Sequence, residues 1–113
     1  MGYGLRNPTG AYALIREAIE RKWIVTAWYK GHHREMCPHV IGTKNGNEHA
    51  LLYQFAGTSS SRPLGPSGSG HNWRCLDIVE LSQVSIQPGP WHTAPNHSRP
   101  QSCVDVIDLE VTY

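Results

Sequence analysis

The order of strand and turn signals over residues 23–86 constrains the fold more than any other feature of this chain. Positions 23–29 are β-branched or aromatic apart from Ala27 and predict a first strand. A Lys-Gly-His-His turn leads to a second strand that begins at Arg34, and Lys-Asn-Gly-Asn at 44–47 predicts a tight turn before a third strand at 48–55. Short sequential strands joined in this way are typical of a small antiparallel barrel.

Two further strands are predicted at 73–78 and 84–87, joined by a short connection at 79–82. They follow a loop at 57–71 in which eleven of the 15 residues are Gly, Ser or Pro. Because that composition buries too little apolar surface to order itself, the loop is expected to be mobile. Pro38 removes a hydrogen-bond donor from the second strand and is expected at an edge or a bulge.

One helix is predicted ahead of the strands. Asn7-Pro8 suits a first helical turn, and apolar residues recur at helical spacing on one face from Ala11 to Ile19. The opposite face carries Arg16 with Glu20 and Glu17 with Arg21, pairs four residues apart that indicate a solvated surface. The helix is expected to cap one end or side of the sheet.

The C-terminal region combines an irregular segment with a final strand. The barrel pattern breaks at 87–91, and Pro95 and Pro100 keep residues 91–101 out of regular structure. Alternation resumes at 104–111, which predicts a strand on a barrel edge or on another copy of the chain. The predicted class is α+β: a small SH3/Sm-like five-strand β-barrel with one N-terminal α-helix and an extended C-terminal segment. Residues 1–87 are expected to form the helix and barrel, and 88–113 an extension of the same domain.

Composition limits the classes of protein that this chain can represent. Its 113 residues suit one core, and a formal net charge of +1 gives no global field for duplex nucleic acid. The odd number of cysteines and the absence of an apolar leader predict a reduced, cytoplasmic protein. No membrane association is expected, since no apolar run approaches the roughly 20 residues that span a bilayer.

Several residues carry a family resemblance over residues 14–86. The helix is followed by a strand that ends in Tyr29, and the further matching positions are Arg34 ahead of Cys37-Pro38, Leu51 after the hairpin, and Arg74 with Leu81. Together they resemble the WYL domain, an Sm-like barrel known mainly from bacterial regulators. The chain departs from the family at His49-Ala50-Leu51, where Trp-Tyr-Leu is usual, and at Glu80, where a second arginine is usual.

The resemblance implies a regulatory module that senses a nucleotide or single-stranded nucleic acid at the barrel mouth. Arginine offers a fork of donors suited to phosphate, and aromatic faces can stack a base. The expected ligand-binding residues are Arg74, Arg34, Tyr29, Tyr53, Trp73 and His39. The alternative is that the aromatic residues are ordinary half-buried sheet residues and that Arg34 pairs with a surface carboxylate.

Other functions are also considered. Cys37, His39, His92, His97 and Cys103 carry the right atoms for zinc, but no Cys-x-x-Cys or His-x-x-x-His pair appears, so neither a metal nor a cofactor is predicted. A Cys37–His39 catalytic pair would lack an orienting third group, and we expect no enzyme. The remaining alternative is a protein-interaction or oligomerisation barrel that assembles through its C-terminal extension, with another copy or a regulatory protein as partner.

Overall fold

The computed structural model describes residues 10–58, 64–65, 72–94 and 101–112. The predicted α+β class is confirmed, with one helix and one antiparallel sheet. A 3₁₀ turn at Ile78–Glu80 separates the fourth and fifth strands. The elements are α1 (Gly10–Arg21), β1 (Ile24–Tyr29), β2 (His32–Lys44), β3 (Asn47–Gly57), β4 (Trp73–Asp77), β5 (Leu81–Gln87) and β6 (Val106–Glu110).

The sheet has the strand order β4-β3-β2-β1-β5, and β6 pairs with β2 outside this path. The first half of β2 pairs with β1, and its second half, residues 40–43, pairs with β6. An irregularity between Pro38 and Val40 lies between these halves, which confirms the expected bulge at the proline. The sheet does not close, so the five-strand barrel stays a prediction.

Two hairpin turns explain why the meander forms. Lys30 and Gly31 have φ angles of 53° and 80°, and Asn45 and Gly46 have 53° and 83°, the left-handed values that two-residue turns between antiparallel strands require. The first turn lets β2 begin at His32, two residues earlier than expected. The 3₁₀ turn likewise lets β5 begin earlier than residue 84. Most of the loop expected to be mobile, at 59–63 and 66–71, lies outside the described residues.

Helix α1 packs its apolar face on the sheet, where Ile15, Ala18 and Ile19 are buried in the main core. It ends when Lys22 takes a φ of 55°, which lets the N–H of Trp23 donate to the Ala18 oxygen at 2.9 Å. Both predicted ion pairs form on its outer face, between residues 16 and 20 and between 17 and 21. The expected amphipathic helix is therefore confirmed.

The C-terminal segment, which we define as residues 91–94 and 101–105, packs against its own sheet. Cys103 and Val104 form a second apolar cluster with Val40 and Leu51. Of the two pairings expected for the final strand, the one within the same chain is observed. A disulfide joins Cys75 of β4 to Cys103, so the expectation of reduced thiols is wrong for these two residues. Among the described residues, no helix has the length and apolar character needed to cross a bilayer.

Candidate functional site

The residues expected at one barrel mouth lie on two faces of the sheet. Successive residues of a strand point to opposite faces, which separates Trp73 from Arg74 on β4. The guanidinium groups of Arg34 and Arg74 share a hydrogen-bond acceptor, and Arg34 also contacts Tyr29. The other three, Tyr53, Trp73 and His39, contact one another on the opposite face. The structure therefore divides the six residues into two groups of three.

The first group, together with Gln54, forms what we call the arginine cluster: Arg34, Arg74, Gln54 and Tyr29. Nη1 of Arg34 donates to Oε1 of Gln54 at 3.4 Å, and Nε of Arg74 donates to the same oxygen at 3.1 Å. Arg34 is 1% exposed and Arg74 is 5% exposed. Two cations carried by β2 and β4 thus meet at one neutral amide oxygen of β3.

The amide of Gln54 is oriented by the chain that follows it. Its Nε2 donates to the main-chain oxygens of Ala56 at 3.0 Å and Thr58 at 2.8 Å, which leaves Oε1 facing the arginines. Gly57 makes this path possible, because it has a φ of 94° and an added Cβ would collide with the main chain of His33. The arginine cluster therefore lies where β3 ends and the Gly/Ser-rich loop begins.

Tyr29 gives the arginine cluster an aromatic wall. The Cζ atom of Arg34 lies 5.1 Å from the centre of the Tyr29 ring, and its Nη2 donates to the Tyr29 main-chain oxygen at 3.4 Å. Burial lowers the pKa of Arg34 from its ordinary value, and interaction with Tyr29 opposes that shift. Arginine starts from so high a pKa that the group stays charged at neutral pH. Arg34 is thus a buried cation rather than a surface residue.

The second group forms, with Trp91, what we call the aromatic cluster: His39, Tyr53, Trp73 and Trp91. The His39 ring lies 4.7 Å from the Trp73 ring and 5.0 Å from the Trp91 ring, between centroids. Its Nδ1 lies 2.9 Å from the Cys37 main-chain oxygen and its Nε2 lies 3.0 Å from the Thr93 hydroxyl. A carbonyl can only accept, so Nδ1 carries a proton, whereas the Thr93 hydroxyl can either donate to Nε2 or accept from it.

Both ring nitrogens of His39 are therefore engaged, and the ring serves to hold the C-terminal segment on the sheet. Cys37 has a similar role, because its Sγ accepts from the main-chain N–H of His92 at 3.2 Å. Burial raises the pKa of Cys37 to about 11, which makes its thiol a poor nucleophile and a poor metal ligand at neutral pH. His97, another of the zinc candidates, lies outside the described residues.

Sequence reasoning missed two features of these sites. Gln54 follows the buried Leu52 by two residues on one strand and so shares its inward face, a signal that an alternation pattern contains. The second feature is the proximity of His49 to the Cys75–Cys103 disulfide. No spacing rule predicts that contact, because the three residues come from distant parts of the chain.

Comparison of the chain with protein-family models, curated protein sequences and solved structures finds no match in any of the three. The functional argument therefore rests on the residues of the chain itself. Of the two clusters, the arginine cluster gathers two guanidinium groups, whereas the aromatic cluster is built from rings that pack the C-terminal segment. The arginine cluster is the candidate ligand site.

Proposed function

We propose that this chain is a non-enzymatic, WYL-like sensing module that binds a nucleotide or single-stranded nucleic acid at the arginine cluster. The observation that carries the proposal is the convergence of the Arg34 and Arg74 guanidinium groups on one oxygen of Gln54. Two cations held close together in a low-dielectric environment create a local positive potential that attracts an anion. Phosphate suits this site, since guanidinium groups bind its oxygens in a fork geometry.

Two of the hydrogen bonds of Arg34 are long enough for a phosphate oxygen to improve on them. Its hydrogen bonds to Gln54 and to the Tyr29 oxygen are both 3.4 Å, which is long for an N–H donor. A phosphate oxygen at about 2.8 Å would form a stronger, charge-assisted bond. A base attached to that phosphate would stack on Tyr29, since Tyr53 and Trp73 face the aromatic cluster. Ligand entry must displace part of the cover over these two arginines, because both are nearly fully buried.

The SH3/Sm-like barrel and the cytoplasmic location of the protein are part of the same proposal. We place the chain among SH3/Sm-like barrels because its first five strands follow one another in sequence and β5 returns to pair with β1. The long β2, interrupted by its bulge and shared between β1 and β6, is the bend that a barrel needs. We also propose a cytoplasmic location, where the Cys75–Cys103 pair would be mostly in its reduced form.

The test is titration of the full chain with a panel of nucleotides and short single-stranded oligonucleotides, read by calorimetry and native mass spectrometry. We expect Arg74→Ala to abolish binding, and Arg74→Lys to weaken it about tenfold or more because lysine keeps the charge but lacks the fork. Arg21→Ala is the matched control, since Arg21 is exposed and pairs with Glu17 on α1. Circular dichroism establishes that each variant is folded.

Two results would refute the nucleotide proposal. The first is a wild-type protein that binds no member of the panel. The second is a folded Arg74→Lys variant and a folded Arg74→Ala variant that both bind as tightly as the wild type.

One observation favours a second function, assembly through β6. Val106 is 67% exposed and Ile107 is 47% exposed on this strand. Deletion of the extension cannot test assembly, because Cys103 and Val104 belong to the core of the same chain. Val106→Lys together with Ile107→Lys should convert an oligomer into a monomer by native mass spectrometry. A wild-type protein that is already monomeric would exclude this function.

A further inference from the structure

Three metal-ligating side chains meet on the face of the sheet covered by the C-terminal segment. A ring nitrogen of His49, Sγ of Cys75 and Sγ of Cys103 all lie within 4.8 Å of one another. His49 comes from β3, Cys75 from β4 and Cys103 from the C-terminal segment. Cys75 pairs with Leu51 across the β3–β4 ladder, and His49 shares a face with Leu51, which explains why His49 and Cys75 are neighbours.

We propose that these three residues form a redox-gated zinc site. In the oxidised chain the site is closed by the Cys75–Cys103 disulfide. In the reduced chain, two thiolates and the His49 imidazole bind one Zn²⁺, and the fourth position is taken by water. This proposal is independent of ligand binding at the arginine cluster, since the two sites use different residues on opposite faces of β4.

The geometry requires little movement. Zinc bonds of about 2.3 Å to sulfur and about 2.0 Å to nitrogen, in a tetrahedron, place neighbouring ligand atoms about 3.5 to 3.8 Å apart. The Cys75 Sγ to His49 Nδ1 distance is already 3.9 Å. The two sulfur atoms must separate from their bonded position by less than 2 Å on this basis. The three ligands therefore need side-chain adjustments rather than a new path for the backbone.

The chemistry balances with a dithiol as the reductant. The dithiol gives two electrons and two protons: the bond between the two Sγ atoms breaks, each sulfur becomes a thiol, and the reductant becomes a disulfide. Zn²⁺ then displaces both thiol protons to solvent and accepts the lone pair of His49 Nδ1. Cys75 is exposed and Cys103 is buried, so the attacking thiolate reaches the bond from the Cys75 side.

Two neighbouring groups suit the reduced form. The main-chain oxygen of Ala50 lies 3.3 Å from Sγ of Cys103 and can accept a hydrogen bond from the reduced, metal-free thiol, a bond that is lost when zinc displaces the proton. Asp77 lies opposite His49 in the ladder, and its Oδ1 is buried with no hydrogen-bond partner among the described residues. A carboxylate beside a ligating histidine is the usual acceptor for its second ring N–H. An oxygen in need of a donor thus lies next to the histidine that would offer one.

The experiment uses the full chain, prepared anaerobically in its reduced form and, separately, in its oxidised form. Each form is titrated with Co²⁺ as a spectroscopic probe and then with Zn²⁺ against a chromophoric chelator. We expect the reduced chain to bind one metal ion, with the thiolate-to-cobalt charge-transfer band and the intense visible bands of tetrahedral Co²⁺. The oxidised chain should bind none at this site.

Variants separate the proposed ligands from other donors. His49→Ala leaves the disulfide possible and should weaken Zn²⁺ binding at least tenfold, whereas His33→Ala, at an exposed histidine of β2, should not change it. Cys75→Ser should remove much of the charge-transfer intensity. Stoichiometric metal binding that is equal in both redox forms would overturn the proposal. So would a reduced chain that binds no metal, or a His49→Ala variant as tight as the wild type.

Discussion

Replacement of Gln54 by methionine tests the hydrogen-bond network that holds the two arginines. Methionine has a similar length but neither donates nor accepts strongly. The change removes a bond from a charged donor, Arg74 Nε at 3.1 Å, worth about 1.5 to 3 kcal/mol, and two bonds to the oxygens of Ala56 and Thr58, worth about 1 kcal/mol each. The 3.4 Å contact from Arg34 adds little.

The expected loss of unfolding free energy is about 3 kcal/mol, because burial of the more apolar methionine returns about 1 kcal/mol of the total. That is a large fraction of the roughly 5 to 15 kcal/mol that stabilises a typical domain. Urea denaturation followed by tryptophan fluorescence measures it directly. With a slope of about 1 to 3 kcal/mol per molar, the midpoint should fall by about 1 M or more.

Gln87→Met is the control, because it is the same substitution at an exposed position, the last residue of β5. It should alter stability by about 0.5 kcal/mol or less. A loss below about 1 kcal/mol for Gln54→Met would refute the reasoning. It would mean that water or other groups satisfy the arginines and the two carbonyl oxygens as well as the amide does.

The remaining predictions concern the turn beside the arginine cluster and the contact between helix and last strand. Gly57→Ala should lower the free energy of unfolding by at least about 1 kcal/mol, since φ is 94° there and a Cβ would meet the His33 backbone. Gly10→Ala is the control, because its Cβ would meet open space and the change should not lower stability. Thermal unfolding measures both variants, and equal melting temperatures would contradict the prediction. A hydrogen bond from Arg16, which has the larger effect, and one from Tyr12 lower the pKa of Asp108. The contribution of this carboxylate to stability is therefore present above its unfolded pKa of about 3.9 and is lost as pH falls through the lower folded pKa. Wild-type stability should therefore fall more steeply below about pH 4 than that of Asp108→Asn, and identical acid unfolding curves would exclude this role.

The elements that the sequence predicts well are those governed by local chemistry. Asn45-Gly46 specifies a two-residue turn whatever surrounds it, and the spacing of apolar residues from Ala11 to Ile19 specifies a helical face. Pro38 restricts its own strand in the same local way. These signals depend on neighbours within a few positions, which the sequence displays directly.

The site was less predictable because it depends on pairing between distant segments. Alternation alone separates Trp73 from Arg74, yet which face becomes the main core depends on where α1 docks. The aromatic residues are covered by the C-terminal segment. The prolines around that segment, Pro90, Pro95 and Pro100, indicate irregular structure but not the direction that the chain takes. The odd number of cysteines predicted reduced thiols, and only the fold shows that Cys103 meets Cys75.

The pairing of β6 with the second half of β2 has a consequence for biosynthesis. The main-chain N–H groups of Asp105 and Val111 donate to the oxygens of Thr43 and His39, so residues 105–111 complete an edge formed about 65 residues earlier. While a ribosome is still elongating the chain, Val40 and its neighbours on β2 have no partner on that side. An unpaired strand edge of this kind promotes aggregation. Loss of residues 105–111 should therefore make the chain more prone to aggregate.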